Sequence, residues 1–109
     1  GWNMFFTNWV GADVANPVAN VSVGGRGTKG GWFGWAEDAE IEKLRDAYAR
    51  SYSPDEQKKI AAEIQKQNYE KVIYIPLGQY LVPSGWRKSL TGVLDGPATP
   101  LFWNVDKSE

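Results

Sequence analysis

Apolar residues crowd the two ends of this chain and take helical spacing between them. From Trp2 to Trp9 (WNMFFTNW) aromatic and apolar residues run together with polar breaks, a composition that predicts a buried strand. Gly11 to Pro17 then reads as a loop, with Asn16 pushed towards extended geometry by the proline after it. Val18 to Val23 predicts a brief strand or extended segment. GGRGTKGG, Gly24 to Gly31, holds five glycines in eight residues and reads as a flexible surface loop.

Two helices are predicted next. The first starts at Asp38, a good N-cap, and runs to about Tyr52, with Ile41, Leu44, Ala47 and Tyr48 on one face and Glu42, Lys43, Asp46 and Arg50 outside it. Asp46 and Arg50 stand at i,i+4 in the favourable order. The second has the plainer start, Ser53-Pro54-Asp55-Glu56: serine caps, proline occupies the first turn, and Glu56 is placed to close a capping box on Ser53. Ile60, Ala61, Ile64 and Val72 form its stripe, with Asn68 the polar exception. So short a link implies neighbouring helices in a hairpin.

Beyond them, Val72 to Val82 (VIYIPLGQYLV) predicts a strand, edge or bulged because of Pro76 and Gly78. Leu90 to Leu94 predicts another short strand, Asp95-Gly96-Pro97 a turn, Leu101 to Val105 the last strand, and Asp106 to Glu109 a frayed polar end. Strands bracketing a helical pair give an α/β or α+β-like layer.

Composition narrows the function classes. The chain has 109 residues, enough for one modest domain. Its net charge is −1 with no block of like charges, which disfavours nucleic acid as partner. Cysteine and histidine are both absent, which removes thiolate chemistry, disulfides, imidazole base catalysis and the common zinc sites. No apolar run approaches the about 18–20 residues that span a membrane. Six Trp, five Tyr and four Phe are many for so small a core, so several are expected to face a ligand or other parts of a longer protein. The Gly1-Trp2 start, without an initiating methionine, points the same way.

Candidate chemistry is sparse. The glycine tract lacks the spacing and the Gly-Lys-Ser/Thr ending of a phosphate loop. Most helix carboxylates belong to a solvated face, and neither Asp13 nor Asp95 has a legible base, nucleophile or metal cluster around it, so an enzyme is not expected, and no cofactor or metal. Asp13 is more informative as a binding group. A carboxylate among aromatic residues suits a primary ammonium, through a charge-assisted hydrogen bond and cation–π attraction from a nearby ring. The bland alternative is an Asx-type turn, in which Asp13 bonds its own backbone.

The order of FFTNWVGADVANP, DAEIEKLRDAYA, SPDEQKKIAAEIQKQNYEKVIYIPLGQY, LTGV and LFWNV resembles the C-terminal part of the family 5 solute-binding proteins, the periplasmic or lipid-anchored oligopeptide, dipeptide and nickel receptors of ABC importers. The likeness covers essentially the whole chain. Its most specific elements are the Trp9, Asp13, Pro17 loop, the acidic helix start at Asp38-Ala39-Glu40-Ile41 and the Ile75-Pro76 strand entry. The resemblance implies a two-lobed parent that closes on a peptide or amine-bearing solute and delivers it to a membrane permease. Residues 1–74 would end one lobe, with the ligand loop and both helices, and 75–109 would cross back towards the other. In peptide-binding members the aspartate four residues before the loop proline meets the ligand's α-ammonium, a role that falls to Asp13. Tyr80 matches a position that supplies an aromatic side chain to some family pockets, and Trp9 would wall the site. The Trp9-to-Asp13 gap is one residue longer than in some peptide-binding members, which leaves the direction of Trp9 open. The cargo class stays open between an opine, a peptide and another amine.

Two other classes compete. An aromatic-platform carbohydrate-binding module would stack sugars on Trp9, Trp32, Trp35 and Trp86. A scaffold or assembly domain would use all its tryptophans structurally. Under the receptor reading the isolated chain is expected to bind ligand weakly or not at all, and to tend to pair with a second copy, through exposed apolar surface or by exchanging an element between copies.

Overall fold

The computed structural model describes residues 1, 3–94, 96 and 100–108. Along them the elements are a 3₁₀ turn, Val21–Val23, the helices α1, Ala39–Arg50, and α2, Pro54–Lys71, and the strands β1, Leu90–Thr91, and β2, Asp106–Lys107. The architecture is α+β-like, and the chain divides into two compact units, Gly1–Pro76 and Leu77–Glu109. Among the described residues no helix is long and apolar enough to cross a membrane.

Both helix starts form as the capping chemistry predicts. Asp38 takes extended geometry and its Oδ1 accepts the amides of Glu40 at 3.0 Å and Ile41 at 3.1 Å. Ser53 caps α2 and accepts the Glu56 amide at 3.4 Å, with Pro54 opening the helix. The capping box closes differently: the Glu56 carboxylate takes the Ser51 hydroxyl at 2.7 Å, while Gln57 Nε2 donates to the Ser51 carbonyl at 2.8 Å. The serine-proline link is thus tied from both sides, and α1 and α2 pack against each other as a hairpin.

The core of this unit is small. Val23, Ile41 and Ile64 are its buried apolar side chains, and Ile41 is wholly enclosed. Complete burial of such a side chain contributes about 1.5–3 kcal/mol. Arg45 and Asn68 are buried beside them. The face of α1 that turns inward is Ile41, Leu44, Arg45 and Tyr48; Ala47 is exposed, because six residues from Ile41 it lies about 120° round the helix. The Asp46–Arg50 pair is not among the ion pairs of the described residues, which are Arg26–Glu42, Lys43–Glu40, Arg45–Glu42 and Lys71–Asp38. On α2, Asn68 Nδ2 donates back to the Ile64 carbonyl at 2.9 Å, and Val72 is exposed in left-handed geometry that stops the helix.

The first half of the glycine tract is packed rather than free on the surface. Gly24, Gly25 and Gly27 are buried, and Arg26 pairs with Glu37 as an isolated antiparallel bridge closed by Asp38 N–H to Gly25 O at 2.9 Å and Gly27 N–H to Ala36 O at 2.8 Å. Backbone lies so close on backbone that a Cβ at Gly25 would stand 2.4 Å from the Asp38 carbonyl oxygen. Gly24, Gly25 and Gly27 serve close packing, whereas Thr28, Lys29 and Gly30 are exposed and a Cβ at Gly30 would meet nothing within 4 Å.

The strand expectations are mostly corrected. Residues 3–9 form no regular strand, Val21–Val23 is a 3₁₀ turn capped by Asn20, and 73–82 has no strand. Apolar composition supports extended backbone, yet a strand requires a neighbour for its hydrogen bonds, and among the described residues none pairs with these segments. In the second unit β1 and β2 pair antiparallel, Leu90 opposite Lys107 and Thr91 opposite Asp106. The expected strand at Leu101–Val105 gives way to a turn, Val105 N–H to Phe102 O at 3.1 Å, and pairing shifts into the tail that was expected to fray. Asp95, Pro97 and Trp2, which the sequence reading used, lie outside the described residues.

Candidate functional site: the Asp13 loop

Asp13 stands in a chain of tight turns. Its amide donates to the Val10 carbonyl at 2.9 Å, Ala15 N–H reaches Ala12 O at 3.4 Å, and Asn20 N–H reaches Asn16 O at 3.0 Å. The Asx turn expected as the alternative for Asp13 belongs to Asn16, whose Oδ1 accepts the amides of Val18 and Ala19, each at 2.9 Å. Asn16 therefore supplies locally what the backbone cannot take from Pro17, which has no N–H. The Asp13 side chain is exposed, and its carboxylate makes no hydrogen bond or ion pair among the described residues.

An arginine secures the far half of the loop. Arg45, 7% exposed on the inner face of α1, donates from Nε to the Pro17 carbonyl and from Nη2 to the Val18 carbonyl, both at 2.9 Å, and from Nη1 to Glu42 Oε1. The same Glu42 carboxylate accepts the Gly25 amide and the Arg26 Nε, each at 2.9 Å. Burial pushes the Glu42 carboxyl up, but the Gly25 amide, Arg26 and Arg45 together hold it below its ordinary value. The planar fork of the guanidinium suits two adjacent carbonyls and a carboxylate at once. One helix side chain pair thus binds both the Asp13 loop and the glycine tract.

Trp9 sits upstream of the turn, 37% exposed, with its ring 4.7 Å from that of Trp32 at a 56° tilt. Trp32 continues to Phe33 at 4.8 Å, and Phe33 meets both Phe5 and Trp35 edge-on, at 6.2 and 6.3 Å. The buried Trp32 Nε1 has no hydrogen-bond partner among the described residues, a cost of about 1–3 kcal/mol set against the packing of the rings. Tyr80 belongs to the second unit and is exposed. Within the first unit the structure therefore brings Trp9 and Trp32 together just upstream of the Asp13 turn. A small open cavity lined by Val21, Gly24, Arg26, Gly30, Gly31 and Arg45 contains none of the residues expected to bind ligand. Among the described residues no cluster of three or more acidic groups is placed to hold a metal ion.

No family model matches the chain, and no solved structure matches it. It is 40% identical over 109 residues, 99% of its length, to a protein of Sinorhizobium fredii described as a probable peptide ABC transporter periplasmic-binding protein. The chain is similar to a peptide-transporter binding protein. The resemblance carried by the ordered motifs is shown by this relative, of whose length the chain spans 20%. The α+β-like architecture accords with a part of a periplasmic binding protein.

Sequence reasoning did not single out Arg45 or Glu42 as partners of the loop. The signal was available for Arg45: four residues after Ile41 and three before Tyr48, it shares their face, where an unpaired charge would be costly and a buried arginine must find acceptors.

Proposed function

We propose that this segment belongs to a solute receptor of an ABC importer and carries the acid that receives the ligand's ammonium group. The observation behind this is the Asp13 carboxylate, exposed and without a partner among the described residues, on a loop whose backbone is otherwise held by Asn16 and Arg45. A fixed loop with a free anion is preorganised for a cation: little ordering entropy is lost on binding, and the contact is a charge-assisted hydrogen bond. Trp9 would wall the site, and Tyr80 keeps only the ligand-binding role that the family resemblance implies for it. The relative's name supports a peptide as cargo, an ABC transporter as partner and a periplasmic place; the permease contact and the lipid-anchored alternative are what the family resemblance implies. In this reading residues 1–74 end one lobe and 75–109 return towards the other, within a protein about five times as long as this chain, which spans 20% of the relative.

The carbohydrate-platform alternative is less well supported. Trp9 and Trp32 spend ring surface on each other, and neighbouring rings in the cluster stand 55–86° apart, whereas sugar stacking calls for faces presented side by side.

The test is calorimetry of the full-length receptor with a dipeptide library and its N-acetylated counterpart, wild type against Asp13→Asn. Removing the charge should weaken free-amine ligands by about 10- to 100-fold and leave acetylated ones unchanged. Equal affinity of the two proteins for every amine ligand would remove Asp13 from the site.

A further inference from the structure

We propose that Arg45 is the positioning residue of the ligand loop, setting the place of the Asp13 carboxylate through the Pro17 and Val18 carbonyls without touching ligand itself. The proposal rests on the reading of Asp13 as the ammonium receptor.

The physical case begins with what Arg45 displaces. A charged side chain this far from water is strongly disfavoured unless its donors are used. Here three separate nitrogens are used: Nε on Pro17, Nη2 on Val18 and Nη1 on Glu42. Two of those acceptors are consecutive carbonyls of the Asp13 loop, 27 and 28 residues away in sequence. The other bonds that shape the loop are short-range and internal to it: the Val10–Asp13 turn, the Ala12–Ala15 turn and the Asn16 Asx turn. Local turns fix the shape of a loop but not its place on the protein. Arg45 supplies the place.

Glu42 completes the device. It holds the guanidinium through Oε1 and is itself held by the Gly25 amide and Arg26, so the fork cannot rotate away from the loop without breaking its pair with an anchored carboxylate. A Cβ on Gly24 would lie 3.0 Å from Arg45 Nη1, so the guanidinium passes close against the glycine backbone. Lysine at position 45 would keep the charge but offer a single nitrogen, which cannot span two carbonyls and a carboxylate in the plane that guanidinium uses. The loop would stay folded locally and shift as a body.

The experiment uses the full-length receptor in four forms: wild type, Asp13→Asn, Arg45→Lys and the double variant. Each is titrated with the free and N-acetylated dipeptide libraries, and amide exchange is followed at Val18 and Ala19. Arg45→Lys should weaken free-amine dipeptides by about tenfold, spare acetylated ones, and cost nothing further in the Asp13→Asn background. Val18 and Ala19 should stay protected by Asn16, which shows that the local turn survives. An equal loss from Arg45→Lys in both backgrounds would mark general damage and overturn the proposal. So would an unchanged free-amine affinity in Arg45→Lys beside a weakened one in Asp13→Asn, which would leave the ammonium reading standing. If Asp13→Asn itself changes nothing, the ammonium reading falls and takes this one with it.

Discussion

Lys71, the last residue of α2, donates to Asp38, the residue that caps α1, so the open end of the helical hairpin is closed by a cap and a cation sharing one carboxylate. The hydrogen bond from Lys71 is the main reason the Asp38 carboxyl is held below its ordinary value, with the Ile41 and Glu40 amides adding to it against a burial penalty. The two contributions are separable. Asp38→Ala removes both and should cost about 1–2 kcal/mol, while Lys71→Met leaves the cap and should cost under about 1 kcal/mol because its side chain is partly solvated. Urea unfolding followed by helix circular dichroism measures the pair, and equal losses would show that the cap bonds contribute nothing.

Gly25 tests whether the glycine tract is packed or loose. With the Asp38 carbonyl 2.4 Å from where a Cβ would stand, Gly25→Ala must shift backbone against backbone. A loss of about 1–3 kcal/mol is expected, whereas a flexible loop would tolerate the change or gain slightly from it.

Val72 ends α2 at φ 50° and ψ 45°, a left-handed geometry that a β-branched residue adopts at a cost of about 1–2 kcal/mol. Its side chain is exposed, so little burial is lost when it is removed. Val72→Gly should therefore raise the urea midpoint, by a net of about 0.5–1 kcal/mol after the extra freedom that glycine gives the unfolded chain. A lower midpoint would mean that the valine side chain contributes packing which outweighs its strain.

The depressed Glu42 and Asp38 carboxyls fix the sign of acid sensitivity. Since their folded values lie below the unfolded values of about 4.3 and 3.9, the unfolded chain takes up protons first as pH falls. The stabilisation is fully present above those unfolded values and is lost as pH drops through the lower, folded ones. The urea midpoint should hardly respond to these groups between pH 7 and about 5.5 and should fall below about pH 4. Glu42→Gln should flatten that fall, and a variant with the wild-type acid slope would refute the assignment.

Exposed apolar side chains should make the 109-residue chain self-associate. Met4, Phe6, Leu77, Leu81, Phe102 and Trp103 are all well exposed, Leu81 at 96%. Sedimentation velocity should show mass rising with concentration, and a monodisperse monomer at every concentration would contradict it.

Much of the helical hairpin was legible because its signals are local. Asp38 and Ser53-Pro54 carry their structural meaning within four residues, and Ile41 and Ile64 follow from period alone. What failed depended on distant partners. A run such as WNMFFTNW has strand composition, but composition does not provide the neighbouring backbone that makes a strand. The glycine tract misled for the opposite reason, since flexibility in isolation and close packing in context call for the same residue. For the candidate site, the turn-rich character of the Asp13 loop was legible in its residues. The long-range clamp was not, since nothing near Pro17 in sequence names its acceptor's donor. Arg45 shows itself only when the helix is turned end-on and a charge is found among Ile41 and Tyr48.

The Asn16-Pro17 turn has a consequence for solubility. Proline offers no amide hydrogen at this point, its carbonyl is already taken by Arg45, and the two following amides are taken by Asn16. A neighbouring chain seeking to add itself as an extra strand finds no free rung here. Aggregation by edge pairing must begin elsewhere, and the Leu77–Val82 run, exposed and without strand pairing among the described residues, is one segment open to it, with Pro76 and Pro83 standing at its two ends as brakes.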